Sequence, residues 1–120
     1  MVASVSNNSA GLQPGSVFWA APDPTVGSEQ SGRRPFVVVA SAGYLQQVTQ
    51  LVLAVPVTQT DRQWPNHIAL EGPTGLGPRC FAMTEQVRAI SRQRIVKVTG
   101  IVDGATLDRI AQCLSDFLII

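Results

Sequence analysis

Hydrophobic positions along this chain fall into short runs separated by polar, turn-rich connections, and only its end carries helical spacing. Pro14-Gly15 punctuates the entry to a strand predicted over Ser16 to Ala20. A polar connection follows from Ala21 to Arg34, with Pro22 and Pro24 near its start. Phe36 to Ala40 is continuously apolar and rich in β-branched residues, the pattern of a strand covered on both faces. Leu51 to Val57 reads the same way. Ala42 to Gln50 fits a short helix or an irregular loop equally well. Weak alternation over Asn66 to Leu70 predicts a more exposed strand. GPTGLGP, residues Gly72 to Pro78, predicts a loop leading to another strand near Cys80 to Met83. Gln93 to Val102 alternates as a further strand. Asp103 is an N-cap residue type, and Leu107, Ile110, Ala111, Leu114, Phe117 and Leu118 follow at helical spacing. That stripe must dock on something. Short strands ending in one amphipathic helix predict a mainly β domain, a small twisted β-barrel with the C-terminal helix laid against it.

Length and charge narrow the picture. A chain of 120 residues fits one domain. Residues 1–13, small and polar, are expected to be a mobile tail, leaving 14–120 as the domain. At 45% hydrophobic and 14% charged the composition is that of a folded protein. A formal net charge of +1 means that any attraction for a polyanion must come from a local cluster. Cys80 and Cys113 match no metal spacing and are too few for a disulfide framework, so both are expected as buried free thiols in a reducing compartment. No basic leader with an apolar core opens the chain and no run approaches a membrane span, so the expectation is a cytoplasmic protein.

One stretch stands out: VGSEQSGRRPFVVV, Val26 to Val39, where a polar run with two glycines, a carboxylate and two adjacent arginines empties into a strand. This stretch closely resembles the signature loop and strand of the MazF/PemK toxins of toxin–antitoxin systems. GSVFWAAPDP (Gly15 to Pro24) is similar to that family's opening strand and Asp-Pro turn. LVLAVPVTQT (Leu51 to Thr60) resembles its strand ending in a Pro-hydrophobic-Thr motif, and EQVRAISRQRI (Glu85 to Ile95) the segment before its last long strand. The resemblance spans about Pro14 to Leu118. It implies an SH3-like (CcdB/PemK-type) barrel that forms a homodimer, cleaves single-stranded RNA as a sequence-selective mRNA interferase without a metal or other cofactor, leaves 2′,3′-cyclic phosphate and 5′-hydroxyl ends, and is silenced by a cognate antitoxin protein.

Cleaving RNA through its own 2′-hydroxyl needs a proton acceptor, donors for the charged phosphorane, and a proton for the leaving oxygen. His67 is the only histidine, so a two-histidine mechanism is unavailable within one chain, and no cluster has metal-ligand spacing. The carboxylate of Glu29, the guanidinium groups of Arg33 and Arg34 and hydroxyls such as Thr58 remain. By the resemblance, Arg34 matches the principal catalytic arginine, Thr58 the hydroxyl that holds the scissile phosphate, and Glu29 the loop glutamate implicated in activity. Because guanidinium stays protonated, Arg34 suits an electrostatic clamp or an acid, which leaves Glu29 as the candidate base.

The blander readings are a solvated Glu29–Arg33 pair, a strand-end hydroxyl at Thr58 and a sheet-edge cation at Arg34. Gly27, Ser28, Gln30 and Arg33 join as RNA-binding candidates from the loop, with Trp64 as a base-stacking residue and Glu85 and Arg88 from the later segment. Arg88, Arg92 and Arg94 form a basic group that either tracks phosphates or solvates a face. Trp19 is expected in the core or at a dimer contact, and His67 on an exposed strand with no catalytic task. Met83-Thr84-Glu85 stands where some family members carry Arg-x-Asp, and Gly15-Ser16 where many carry Gly-Asp. A rival from another class is a non-catalytic module that poisons a protein target, as gyrase-directed relatives of this fold do.

Overall fold

In the computed structural model, residues 11–22 and 32–119 are described. Residues 1–10 of the expected tail, and Gly27, Ser28, Glu29 and Gln30, lie outside them. The chain runs β1 (Ser16–Ala20), β2 (Arg34–Val38), α1 (Ala42–Gln47), β3 (Leu51–Thr58), β4 (His67–Ala69), β5 (Phe81–Met83), β6 (Arg88–Ser91), β7 (Ile95–Ile101) and α2 (Gly104–Phe117). All ladders are antiparallel. The strand order is β4-β5-β3-β2-β1-β7, with β6 added to the first half of β3. The domain is therefore mainly β with a C-terminal helix, as expected. Among the described residues the coiled sheet does not close into a hydrogen-bonded ring.

Strand periodicity sorts the core into two clusters, one on each face. Phe18, Phe36, Val38, Val52, Ala54 and Ile90 lie on one face, closed over by Leu45 of α1 and Ile95 at the start of β7. The Phe18 and Phe36 rings stack there with centroids 5.6 Å apart. Val17, Val37, Val55, Val57, Ile68 and Ala82 lie on the other face, under Ile110 of α2. Strands covered on both faces explain why β2 and β3 read as unbroken apolar runs.

Several expectations need correction. The fold begins before Pro14: Leu12 packs against the first cluster, and the Gln13 N–H donates to the buried Ser16 hydroxyl at 3.0 Å. The Ser16 side chain thus has a structural task. The segment after Ala40 is helical over Ala42–Gln47, capped by Ser41, whose hydroxyl accepts from the Tyr44 N–H at 3.1 Å. The strand expected from Gln93 starts at Ile95, because Arg92–Arg94 forms a single 3₁₀ turn, and β6 before it was not expected. Asp103 caps α2 as expected, accepting from the Thr106 N–H at 2.9 Å. The α2 stripe docks only in part: Thr106 and Ile110 are buried, whereas Ala111, Phe117 and Leu118 are exposed. Cys80 is buried but Cys113 only half-buried, and both are free.

Arg92 belongs to the scaffold. Its Nη2 donates to the carbonyls of Leu45 and Val48 at 2.8 Å each, and its Nε to Leu51 O at 3.1 Å. The guanidinium thereby satisfies carbonyls that the end of α1 would otherwise leave open. Arg92→Ala is expected to lower unfolding free energy by roughly 2 kcal/mol in a denaturant titration, the range for hydrogen bonds from a charged donor.

Candidate functional site

Three consecutive pairs, Phe36↔Pro56, Val37↔Val55 and Val38↔Ala54, set the β2–β3 register. Continued by two residues on each strand, the same register puts Arg34 across from Thr58, with both side chains on one face of the sheet. Both line an open cleft of about 440 Å³, together with Arg33, Trp19, Gln59 and the loop residues Gly75, Leu76 and Gly77. Arg34 closes the ladder with Ala20 of β1, so its backbone is held while its side chain is exposed. Among the described residues, neither Arg33 nor Arg34 has an ion-pair or hydrogen-bond partner for its guanidinium. The Thr58 hydroxyl oxygen accepts the Thr60 N–H at 3.1 Å. That turn fixes the side chain and leaves the hydroxyl proton free to donate into the cleft.

The far wall is shaped by close backbone approach. A Cβ at Gly100 of β7 would stand 2.1 Å from Pro73 O, and one at Gly75, whose φ is +78°, would meet Thr99 O at 2.6 Å. Glycine at these positions lets the 72–77 segment lie directly on β7, where Thr99 Oγ1 donates to Thr74 O at 2.7 Å. Cys80, at the end of that loop, also lines the cleft. Its thiol donates to Gly77 O at 3.3 Å, and burial pushes its pKa up, so it is a neutral packing group.

The remaining sequence candidates separate. Trp64 is exposed and does not line the cleft, and neither does Glu85. Arg88 lines a second cleft of about 530 Å³, with Ala21, Pro22, Ser91, Gln93 and Arg94. Arg94 spans the same place, its Nε donating to Ala21 O at 2.8 Å. The basic group thus divides into a scaffold residue, Arg92, and two residues of this second cleft. Trp19, expected in the core or at a dimer contact, is half-buried and forms a wall of the first cleft.

His67 overturns the expectation of an exposed residue. Its side chain is 2% exposed, and Nε2 lies 3.1 Å from both Glu85 carboxylate oxygens. Asn66 Nδ2 donates to the same carboxylate at 2.7 Å, and the Thr84 hydroxyl donates to Asn66 O at 2.7 Å. Partial burial works to raise the Glu85 pKa, but hydrogen bonds from His67 and from its own backbone N–H outweigh it, and the net shift is downward. The carboxylate that sequence reading assigned to RNA is therefore spent on tying β4 to the Thr84–Gln86 turn. A lone His and a Glu eighteen residues further on carry no local signal of that pairing. The cleft wall from Gly75 to Gly77 was visible only as a turn-rich loop.

Metal-binding clusters of three or more His, Cys, Asp or Glu do not occur among the described residues. No helix among them is long and apolar enough to cross a membrane.

A coiled antiparallel sheet with a C-terminal helix, presenting an arginine and a threonine from paired strands beside a glycine-rich wall, defines a small mainly β domain with a cleft rich in hydrogen-bond donors. Residues 13–118 match the family described as PemK-like, MazF-like toxin of type II toxin–antitoxin system, and the chain belongs to that family. It is 31% identical over 109 residues to endoribonuclease MazF9 of Mycobacterium tuberculosis, covering 86% of this chain and 92% of the relative. It is 36% identical over 77 residues to the endoribonuclease toxin MazF of Escherichia coli K12, covering 64% and 66%. Among solved structures, the MazE–MazF complex of Deinococcus radiodurans superposes with a TM-score of 0.73 at 25% identity, covering 88% of this chain and 93% of that one.

A group with a depressed folded-state pKa lends stability above its unfolded value and loses it as pH falls through the folded one. Glu85 is such a group. The stability difference between the wild type and Glu85→Gln is expected to be full above about pH 4.3, the ordinary glutamate value, and to shrink below it. Denaturant midpoints followed from neutral to acid pH check this; a difference that is constant with pH contradicts it.

Proposed function

We propose that this chain is an endoribonuclease toxin that cleaves single-stranded RNA at the Arg34–Thr58 cleft, using the RNA's own 2′-hydroxyl as nucleophile. The observation that carries the reading is the β2–β3 register, which brings a guanidinium and a hydroxyl, both without other uses for their donor protons among the described residues, to one exposed cleft in a chain of this family. In the proposed reaction the 2′-oxygen attacks phosphorus and loses its proton, and the 5′-oxygen leaves with a proton. Arg34 donates to the non-bridging oxygens and neutralises the charge that builds on them. Thr58 Oγ donates to the same phosphate and fixes its place. Arg33 holds a neighbouring phosphate. Glu29 is assigned as base, with Gly27, Ser28 and Gln30 as RNA contacts from the same loop. The products are a 2′,3′-cyclic phosphate and a 5′-hydroxyl, and no step requires a metal.

The similar structure from Deinococcus contains MazE together with MazF, which supports a cognate antitoxin for this chain. The exposed Phe117, Leu118 and Ile119 at the end of α2 offer apolar surface for assembly, and we assign the working form as a homodimer acting on RNA in the cytoplasm. A protein-poisoning module on the same fold would have no need of an unpartnered arginine opposite a hydroxyl donor.

Purified protein incubated with a long unstructured RNA and excess chelator is expected to give discrete fragments ending in cyclic phosphate. Arg34→Ala should lower the rate by about 10²–10³-fold, the cost of removing one transition-state donor, and Thr58→Val should lower it less, with both variants folded. RNA left intact by the wild type sinks the proposal, and so does full activity in Arg34→Ala.

A further inference from the structure

The same face of the sheet carries a second feature that the cleavage chemistry leaves unused. In the β3–β5–β4 segment, Thr58 pairs with Phe81, and His67 pairs with Met83 two residues further along β5. The intervening row, Val57, Ala82 and Ile68, points into the core under α2. Alternation therefore turns Thr58 and His67 to the same side, roughly 12 Å apart by strand spacing and rise.

Trp64 sits on His67, its ring centroid 4.8 Å from the imidazole at an interplanar angle of 51°. The indole is 48% exposed, and the Arg62 guanidinium carbon stands 5.7 Å from its centroid. The connection from Thr58 to His67 is locally fixed. The Gln63 N–H donates to Asp61 Oδ1 at 2.9 Å, Gln63 itself adopts a left-handed φ of 59°, and the His67 N–H donates to Trp64 O at 3.0 Å.

A large exposed indole on a pinned loop, with a cation over it and a buried, hydrogen-bonded imidazole under it, is a costly arrangement for a surface with no ligand. It matches what single-stranded nucleic acid asks for: an aromatic face for a base and a positive charge for the adjoining phosphate. We propose that Trp64 is a stacking platform for a nucleobase flanking the scissile phosphate, and that the buried His67, bonded to the Glu85 carboxylate, is the anchor that holds the platform in place. The inference rests on the RNA-cleaving reading of the cleft. A base stack outweighs an exposed cation–π contact, so an incoming base displaces Arg62 and frees its guanidinium for the backbone. His67 and Glu85 act as positioning residues, through Trp64 and not on the substrate.

Two arms test this. In cleavage of an unstructured RNA, Trp64→Ala is expected to raise KM about 10-fold, within the range for one lost base stack, with kcat nearly kept, and Trp64→Phe to restore most of the loss. Glu85→Ala should raise KM in the same direction. In the second arm, a short mixed-sequence 2′-deoxyoligonucleotide is titrated against tryptophan fluorescence. Trp19 and Trp64 are the only two tryptophans, so quenching present in the wild type and largely lost in Trp64→Phe reports a base on Trp64. Unchanged KM in Trp64→Ala, or quenching identical in wild type and Trp64→Phe, overturns the platform. Glu85→Ala with wild-type KM and quenching overturns the anchor. Wild-type protein that leaves RNA uncut while the Trp64 quenching persists fails the nuclease reading alone.

Discussion

The site depends on the register between β2 and β3. One residue of slip would turn Arg34 or Thr58 to the opposite face, because strand side chains alternate. The register is held by what the slip would do to the core: Phe36 and Val38 would leave one cluster, and Val37 and Val55 the other. Both clusters bury these residues almost completely, so the penalty for a shift includes several fully buried side chains at once. The catalytic geometry we assign is thus a by-product of packing. Two apolar strands set it, and the functional side chains occupy the ends where the strands emerge from the core.

Much of the fold was legible for the same reason. β1, β2, β3 and α2 are apolar runs or carry a clear cap, and burial on both faces leaves a strong pattern in β2 and β3. What escaped was short or held from a distance. β6 is four residues, two of them exposed, and it exists because β3 offers an open edge to pair with. β4 was legible as a strand but not as a buried one: its first residue, His67, lies under Trp64 and against the Glu85 carboxylate. Arg92 read as part of a basic group, yet its three carbonyl partners come from sequence more than forty residues away. Polar residues that do structural work at long range have no period and no local motif.

The two arginines of the cleft and the three of the later segment show why residue type alone assigns little. Arg92 neutralises backbone carbonyls and Arg94 bonds to Ala21 O, joining the chain before the loop to the turn before β7. Arg33 and Arg34 have no comparable acceptors among the described residues, although both stand on a rigid strand entry. A guanidinium kept without an internal partner is a cation held ready for an external one. The sequence motif identified the pair, and the hydrogen-bond pattern separates it from its neighbours.

With a net charge of +1, the protein has no general field to gather RNA. Affinity must come from short-range terms, and each kind has a place around the cleft or beside it. In the site we propose, paired donors take a phosphate, Arg33 neutralises another, and an anchored indole gives a base somewhere to stack. Stacking and donor geometry read phosphate spacing and the presence of an unstacked base better than a diffuse positive surface does, because they act only on contact. For a nuclease with modest attraction to RNA in general, selectivity follows from that economy. A strand that fails to place a phosphate between Arg34 and Thr58 while a base meets Trp64 gains too little to stay.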